Sequence, residues 1–347
     1  MIGAKPPRSK RSGNITLKAV AQHLGLTPGT VSAVLNDTKA ARTIPENTRK
    51  RIIEAARQLN YQPNFLARSL RVKKTYTVGV IVEEIGDAYG SLVVGGIEPY
   101  LRDNNYFFLT VAHRHNPTLL RTYSQMLATR GVEGFITVDT SIVEEPVLPT
   151  VAVAGHQKVE NVTNIILDHH RAAELGLQYL KQLGHERIAF LRGLPKSSDS
   201  ASRWEAIEDV AREFNIEIRP ELVLRIEGTD STPELGYPYG KALIDRKIPF
   251  TALFAYNDIS AIGAMRAFQE AGLRVPEDVS VIGFDDISIA PFAIPPLTTI
   301  RQPLEKMGRI AAQTLLERIE DRTAFVPEIA VEPELIVRQS VAAPRGL

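Results

Sequence analysis

From Tyr76 onward, short apolar runs rich in β-branched residues alternate with amphipathic stretches. The runs are Val78–Val82, Phe107–Ala112, Gly134–Val138, Val151–Ala154, Ile165–Leu167, Ile188–Leu191, Leu222–Ile226, Ala252–Tyr256 and Val279–Phe284. Between and after them lie segments with helical periodicity at 90–103, 118–130, 170–183, 203–214, 233–246, 259–271 and 304–320. Such alternation implies parallel sheets covered by helices. Runs that are almost continuously apolar belong to strands buried on both faces. The stretch 75–347 is long enough for two α/β subdomains rather than one. No phosphate-binding loop and no G-x-G-x-x-G follows the first strand, so the familiar nucleotide-binding fingerprints are absent.

The first 74 residues are of another kind. They carry fifteen Lys/Arg and three acids, a net charge of +12, whereas the remainder carries −11. A basic head on an acidic body is the footprint of nucleic-acid binding. Residues 1–14 have no apolar period and read as a disordered basic tail. Leu17, Val20, Ala21 and Leu24 then recur at the spacing of one helix face. Gly25 breaks that helix and Leu26 plugs the turn. Thr27 is a good N-cap, Pro28 fits the first helical position, and Val31, Val34 and Leu35 give a second apolar face. Two short helices across a glycine turn form a helix-turn-helix. These residues alone fit an ordinary αα-hairpin almost as well; the +12 charge around them favours DNA. After a loop at 37–47, Pro45 opens a third helix, with Ile52, Ile53, Ala56 and Leu59 inward and Arg49, Lys50, Arg51 and Arg57 outward. The head therefore spans 15–62. Residues 63–74 form a linker in which Asn64 can cap a very short helix. Alone such a helix is marginal in water, so it either packs on the body or folds on DNA, with Leu70 as a minor-groove wedge.

Several long motifs, in order, resemble the lactose/galactose repressor (LacI/GalR) family. TVSAVLN at 30–36 fits its recognition helix and LNYQPNFLARSL at 59–70 its hinge. TALFAYNDISAIGAMRAF at 251–268, VPEDVSVIGFDDI at 275–287 and PPLTTIRQPLEKMG at 295–308 fit its effector-binding body. The resemblance implies a body like periplasmic sugar-binding proteins, with two subdomains joined by three crossovers and the ligand between them. It divides the body into about 76–167 with 304–331, and 168–303 with 332–347. It implies effector contacts at Tyr89, Arg203, Asn257, Asp285 and Gln302. Arg, Asn, Asp and Gln side chains converging on one cleft suit a polyhydroxylated ligand. Asp258 reads as a plain helix cap and Trp204 as core.

The resemblance also implies DNA contacts at Thr16, Leu17, Thr27, Pro28, Gly29, Thr30, Ser32, Ala33, Asn36 and Arg42. In the hinge it implies Asn64, Ala67, Arg68, Leu70 and Arg71. Two departures stand out. The family's main base-reading positions hold Pro28, Gly29 and Ala33, none of which makes a bidentate bond to a base. Direct readout then rests on Thr30, Ser32, Asn36 and contacts with thymine methyls. In the body, Ala154 stands where many relatives have an acid, and Gly90 where some purine-responsive members have an aromatic residue.

The expected function is a transcriptional repressor. It acts as a homodimer on a roughly palindromic operator and responds to a small polar effector, a sugar or sugar derivative. No catalytic residue, cofactor or metal is expected. The chain lacks cysteine, an N-terminal apolar segment and any membrane-length apolar run, which suits the cytoplasm. Two other readings share the α/β architecture. A periplasmic-type sugar receptor is opposed by the basic head. An enzyme is opposed by the lack of a nucleophile elbow or metal-ligand spacing; His169–His170 reads as surface.

Overall fold

The structure is a computed structural model that describes residues 15–62, 69, 74–142, 144–155, 157–194, 197–227, 232–321 and 325–345. Met1–Thr75 and Tyr76–Leu347 form two compact units.

In the first unit, α1 (Leu17–Leu24) starts at Thr16, whose side chain accepts from the Ala19 N–H, and ends at Gly25 with φ 66°. That left-handed conformation costs glycine nothing and turns the chain into the next helix. Helix α2 (Pro28–Leu35) starts at Thr27, which caps the Thr30 N–H. Helix α3 (Glu46–Gln58) closes the core, in which Val20, Val31 and Ile52 are fully buried. Two details differ from the sequence reading. Ile53 is 50% exposed and Ala55 is buried: Ile52, Ala55, Ala56 and Leu59 share one face at i, i+3, i+4 and i+7, and Ile53 falls off it. The segment read as a loop contains a 3₁₀ turn, Lys39–Thr43, pinned by buried Ala41.

The second unit holds two six-stranded sheets. Sheet one contains β1 (Thr77–Val82), β2 (Phe107–Ala112), β3 (Phe135–Val138), β4 (Thr150–Val153) and β5 (Val162–Leu167). Sheet two contains β6 (Ile188–Arg192), β7 (Val223–Arg225), β8 (Ala252–Phe254), β9 (Ser280–Asp285) and β10 (Thr298–Arg301). One further edge strand joins each: β11 (Glu328–Val331) and β12 (Glu334–Ile336). The orders are β11-β5-β4-β3-β1-β2 and β12-β10-β9-β8-β6-β7. All pairings are parallel except β10 with β12. The chain passes between the sheets three times, after β5, β10 and β11. Strands β10 to β12 escaped the sequence reading: β10 is threonine-rich, and the other two are short edges. Burial on both faces also fails at the edge strand β2, where Phe107 is 74% exposed.

Sheet one carries α4 (Ala88–Asp103), α5 (Pro117–Thr129) and α10 (Leu304–Ile319). Sheet two carries α6 (His169–Gln182), α7 (Ser198–Glu213), α8 (Tyr237–Asp245) and α9 (Asp258–Glu270). In each half, two glycines bring backbones into direct contact. A Cβ on Gly96 of α4 would sit 1.9 Å from the Glu305 carbonyl oxygen, and one on Gly308 of α10 2.0 Å from that of Val93. On sheet two, Gly236 faces the Ser260 carbonyl and Gly263 that of Pro233, each at 1.9 Å from the absent Cβ.

Candidate functional site

Open α/β sheets bind ligands outside the carboxyl ends of their strands. Glu83 follows β1, Asp139 follows β3, Tyr256 lies just beyond β8, and Asp285 ends β9. The N-terminal turns of α4, α7 and α9 add Tyr89, Arg203 and the cap Asn257. All of these line one cavity of about 110 Å³.

Arg203 is the anchor. Its Nη2 donates to Asp199 Oδ2 at 2.6 Å, one helical turn earlier, and its Nη1 donates to the Tyr256 carbonyl at 2.5 Å. The guanidinium lies 3.7 Å from the Phe284 ring centroid and 4.8 Å from that of Tyr256. Burial opposes its charge, but Asp199, Tyr256 and Asp285 outweigh this and hold the guanidinium protonated. Its Nε is buried without a hydrogen-bond partner among the described residues. Asp199 in turn meets His169 Nε2 at 3.0 Å.

Asp285 sits at φ 106°, a strained conformation for a residue with a Cβ. Its neighbours fix the turn. Gln302 Nε2 donates to Asp285 Oδ1 at 2.6 Å, and Asp286 binds Arg301 and Arg338 at 2.8 and 2.7 Å. Asp258 is fully buried, accepting from the Ile287 N–H at 2.9 Å and the Thr299 hydroxyl at 2.6 Å. Burial pushes the Asp285 carboxyl up to about 7, although Arg203 and Gln302 pull it down. On the sheet-one side, burial pushes Glu83 up to about 9 and Asp139 to about 7. Each of these two carboxyl groups acts on the titration of the other. Asp87 caps α4 by accepting from the Gly90 N–H at 2.6 Å, and burial raises its pKa too.

Of the residues expected from sequence, Tyr89, Arg203, Asn257 and Asp285 line the cavity; Gln302 supports Asp285 without lining it. Asn257 spends its carbonyl oxygen on the Ser260 N–H in a capping box. That corrects the reading of Asp258: Asn257 is the cap, and Asp258 is a buried brace for the Asp285 loop. His169 is likewise buried against Asp199 rather than on the surface, although His170 is exposed. Trp204 is core, edge-on to Phe190 at 5.8 Å between centroids. Sequence reasoning missed Glu83, Asp87, Asp139, Asp199 and Tyr256. Glu83, Asp139 and Tyr256, like Asp285, stand at or just past a strand end, which is the signal that could have found them. Ala154, at φ 59°, leaves its position without an acid, and Asp139 on the adjoining strand supplies one to the cavity.

In the first unit, Thr27, Pro28 and Gly29 are exposed at the start of α2, and Thr16 and Arg42 are exposed as well. Leu17, Thr30 and Ala33 are half-buried. The Thr27 and Thr30 hydroxyls hydrogen-bond each other at 2.9 Å. Ser32 departs from expectation as a base reader: it is buried at 8% exposure, and Asn36 Nδ2 donates to its carbonyl at 2.8 Å and its hydroxyl at 3.2 Å. A helix this short must turn that side inward to bury Val31 and Val34, and Ser32 goes with them. The hinge residues Asn64, Ala67, Arg68, Leu70 and Arg71, and the 1–14 tail, lie outside the described residues.

Comparison with known proteins decides the family. Residues 16–64 match the lacI family of bacterial regulatory proteins, and residues 177–341 match the periplasmic binding protein-like domain. The HTH-type transcriptional repressor PurR of Haemophilus influenzae is 34% identical over 337 residues, covering 94% of this chain and 98% of that protein. The chain belongs to the LacI family. As a LacI-family member it is a DNA-binding transcriptional regulator. A lac repressor dimer bound to operator and the anti-inducer ONPF superposes with a TM-score of 0.85 at 26% identity, covering 95% of this chain and all of that one. A LacI-family regulator from Enterococcus faecium with bound ribose gives 0.68 at 28% identity, over 77% of this chain and 99% of that one. Among the described residues, no helix is long and apolar enough to cross a membrane, and no group of His, Cys, Asp or Glu is placed to hold a metal ion.

Proposed function

We propose that this regulator is a homodimeric repressor, working beside the DNA in the cytoplasm, whose operator affinity is set by a small polar effector bound between the two sheets. The observation that carries the effector site is Arg203. It is fixed by Asp199, Tyr256 and Phe284 and lines the cavity, yet its buried Nε has no partner among the described residues. A buried donor without a partner is costly and invites one. Tyr89, Asn257 and Asp285 complete the contacts, and Gln302 orients Asp285. The same reading divides the body into 76–167 with 304–331 and 168–303 with 332–347. It takes the chain as a regulator rather than an enzyme, in keeping with its repressor relatives.

At the DNA, Thr16, Leu17, Thr27, Pro28, Gly29, Thr30, Ala33 and Arg42 form the contact surface. Ser32 and Asn36 support it from within. With so few base-reading groups on α2, specificity moves to the hinge. Leu70 wedges into a central step, and Arg68 or Arg71 reads the minor-groove width beside it. Asn64 and Ala67 join them as DNA contacts in this reading. One head buries too little surface for tight specific binding, so two heads on one dimer supply the second half-site.

Gel shifts with the chain's own upstream DNA, with and without candidate effectors, test both halves of the reading. Binding should fall about 10³–10⁵-fold between roughly 50 and 200 mM salt, as expected for several phosphate contacts per head. Leu70→Ala should weaken specific binding far more than non-specific binding. An operator scan sensitive only in the outer half-sites would remove the hinge from the reading. A monomer in sedimentation that still binds its operator tightly would remove the dimer.

A further inference from the structure

The cavity is unbalanced in charge. On its sheet-one wall stand Glu83, Asp87 and Asp139, with Glu84 beside them. On its sheet-two wall stand Asp199 and Asp285. Among the described lining residues, Arg203 is the sole arginine or lysine, and its guanidinium is committed to Asp199 and the Tyr256 carbonyl. The nearest other basic group, His115, pairs its Nδ1 with Glu83 at 2.5 Å.

Glu83 and Asp139 line the same wall, and two neighbouring buried carboxyls resist ionising together, so the pair holds a proton near neutral pH. That proton stands in for a cation. An ammonium group carries three donors and a positive charge and could replace it, with Asp87 lining the same wall. A phosphate or carboxylate would meet like charge on both walls. The cavity also holds two buried polar atoms without partners among the described residues, Arg203 Nε and the Tyr89 hydroxyl. Both suit hydroxyl or ring oxygens. A matching ligand therefore brings oxygens to Arg203 and Tyr89 and a positive charge to the sheet-one acids.

We propose that the effector is a hydroxylated organic cation, of the chemical class of an amino sugar with a free ammonium group, seated with that group between Glu83 and Asp139. This rests on the cleft being the effector site. Displacing the pair's proton gives the binding step a signature. The groups facing the pair are Glu84, Asp87 and His115 on its own side. Across the cavity they are Arg203, Asp199 with His169 behind it, and Asp285 with Asp258 behind it. The ammonium acts first on Glu83 and Asp139, lowers their proton affinity and expels a proton to solvent.

The test is calorimetric titration of the full chain with matched sets. Each of D-glucosamine, D-galactosamine and D-mannosamine is compared with its parent hexose and its N-acetyl derivative, and glucose 6-phosphate is added. Repeating titrations near neutral pH in buffers of different ionisation enthalpy counts protons released. The proposal expects at least one amine to bind about tenfold or more tighter than its neutral partners, with net proton release. Asp139→Asn should remove most of that preference. A parent hexose, an N-acetyl sugar or the phosphate binding as tightly as the amines would overturn it, as would no amine binding at about 10 mM. Arg203→Ala and the gentler Tyr89→Phe separate this failure from failure of the site. A neutral ligand whose binding both variants weaken keeps the site and ends the cationic class. Amine binding that neither variant changes ends the site reading itself.

Discussion

The two walls of the cavity come from sheets built alike. Leaving aside the edge strands β11 and β12, the order β5-β4-β3-β1-β2 in sheet one is repeated as β10-β9-β8-β6-β7 in sheet two. The chemistry at their carboxyl ends nevertheless differs. Sheet two presents a closed network: Arg203 held by Asp199 and two aromatic rings, Asp285 held by Gln302, and Asp258 bracing the loop behind. Sheet one presents acids and, among the described lining residues, neither lysine nor arginine. Topology dictates where a site forms; the one or two residues after each strand decide what it can hold.

The largest expected effect comes from breaking the sheet-two network. Arg203→Ala leaves Asp199 and Asp285 buried without their cation. Removing one partner of a buried ion pair costs about 3–5 kcal/mol. Urea unfolding near neutral pH should show that loss, and gel shifts should show loss of effector response with operator binding retained. A variant as stable as the parent would mean that the wall is held by packing and not by charge.

The sheet-one wall should answer to pH instead. The folded-state pKa of Asp139, about 7, lies above its ordinary 3.8. The folded protein therefore holds a proton that the unfolded chain has lost. That contribution is fully present below about pH 3.8 and is lost as pH rises through about 7. A fully titrating group of this kind changes stability by up to about 1.4 kcal/mol per pH unit. His113 and His185, whose pKa values burial lowers, tilt the parent curve the other way. The difference between parent and Asp139→Asn cancels those histidines and reports the Glu83–Asp139 pair. The variant should gain stability relative to the parent between pH 6 and 8, and a constant difference across that range would contradict the raised pKa of Asp139.

The smallest effect concerns Gly90. A Cβ there would lie 2.7 Å from Asp87 Oδ2 and push that side chain off its cap. Losing an N-cap typically costs about 1 kcal/mol, and alanine in a helix returns part of it. Gly90→Ala should thus lower the melting temperature only slightly while changing effector affinity through Asp87. Unchanged affinity would place Asp87 outside the contact set.

Much of this was legible in the sequence. Hydrophobic period marked the central strands and the helices, because burial on both faces leaves a continuous apolar record. It failed at β10, where Thr298 and Thr299 are buried with hydrogen bonds in place of apolar contacts, and at the β11 and β12 edges. Tyr89, Arg203, Asn257 and Asp285 were reached through the family resemblance, and the structure brings them to one cavity. Glu83, Asp139 and Asp199 were not, since a single acid after a strand looks like any turn residue until the fold sets it beside others. His169 and Asp258 show the same limit: their burial is decided by residues 30 and 29 positions away in sequence.

The glycine contacts in each half have a mechanical consequence. With the α4 backbone resting on α10, and the 3₁₀ turn at Pro233–Leu235 resting on α9, neither half has room for its layers to slide. Such halves are built to move as single bodies, so a change of angle between them would fall on the three crossing segments. Gln302 sits on one of those pivots, directly before α10, and grips Asp285 inside the cavity. A ligand touching Asp285 would thus push on the hinge pin itself, where a small displacement swings the far end of each half through the widest arc.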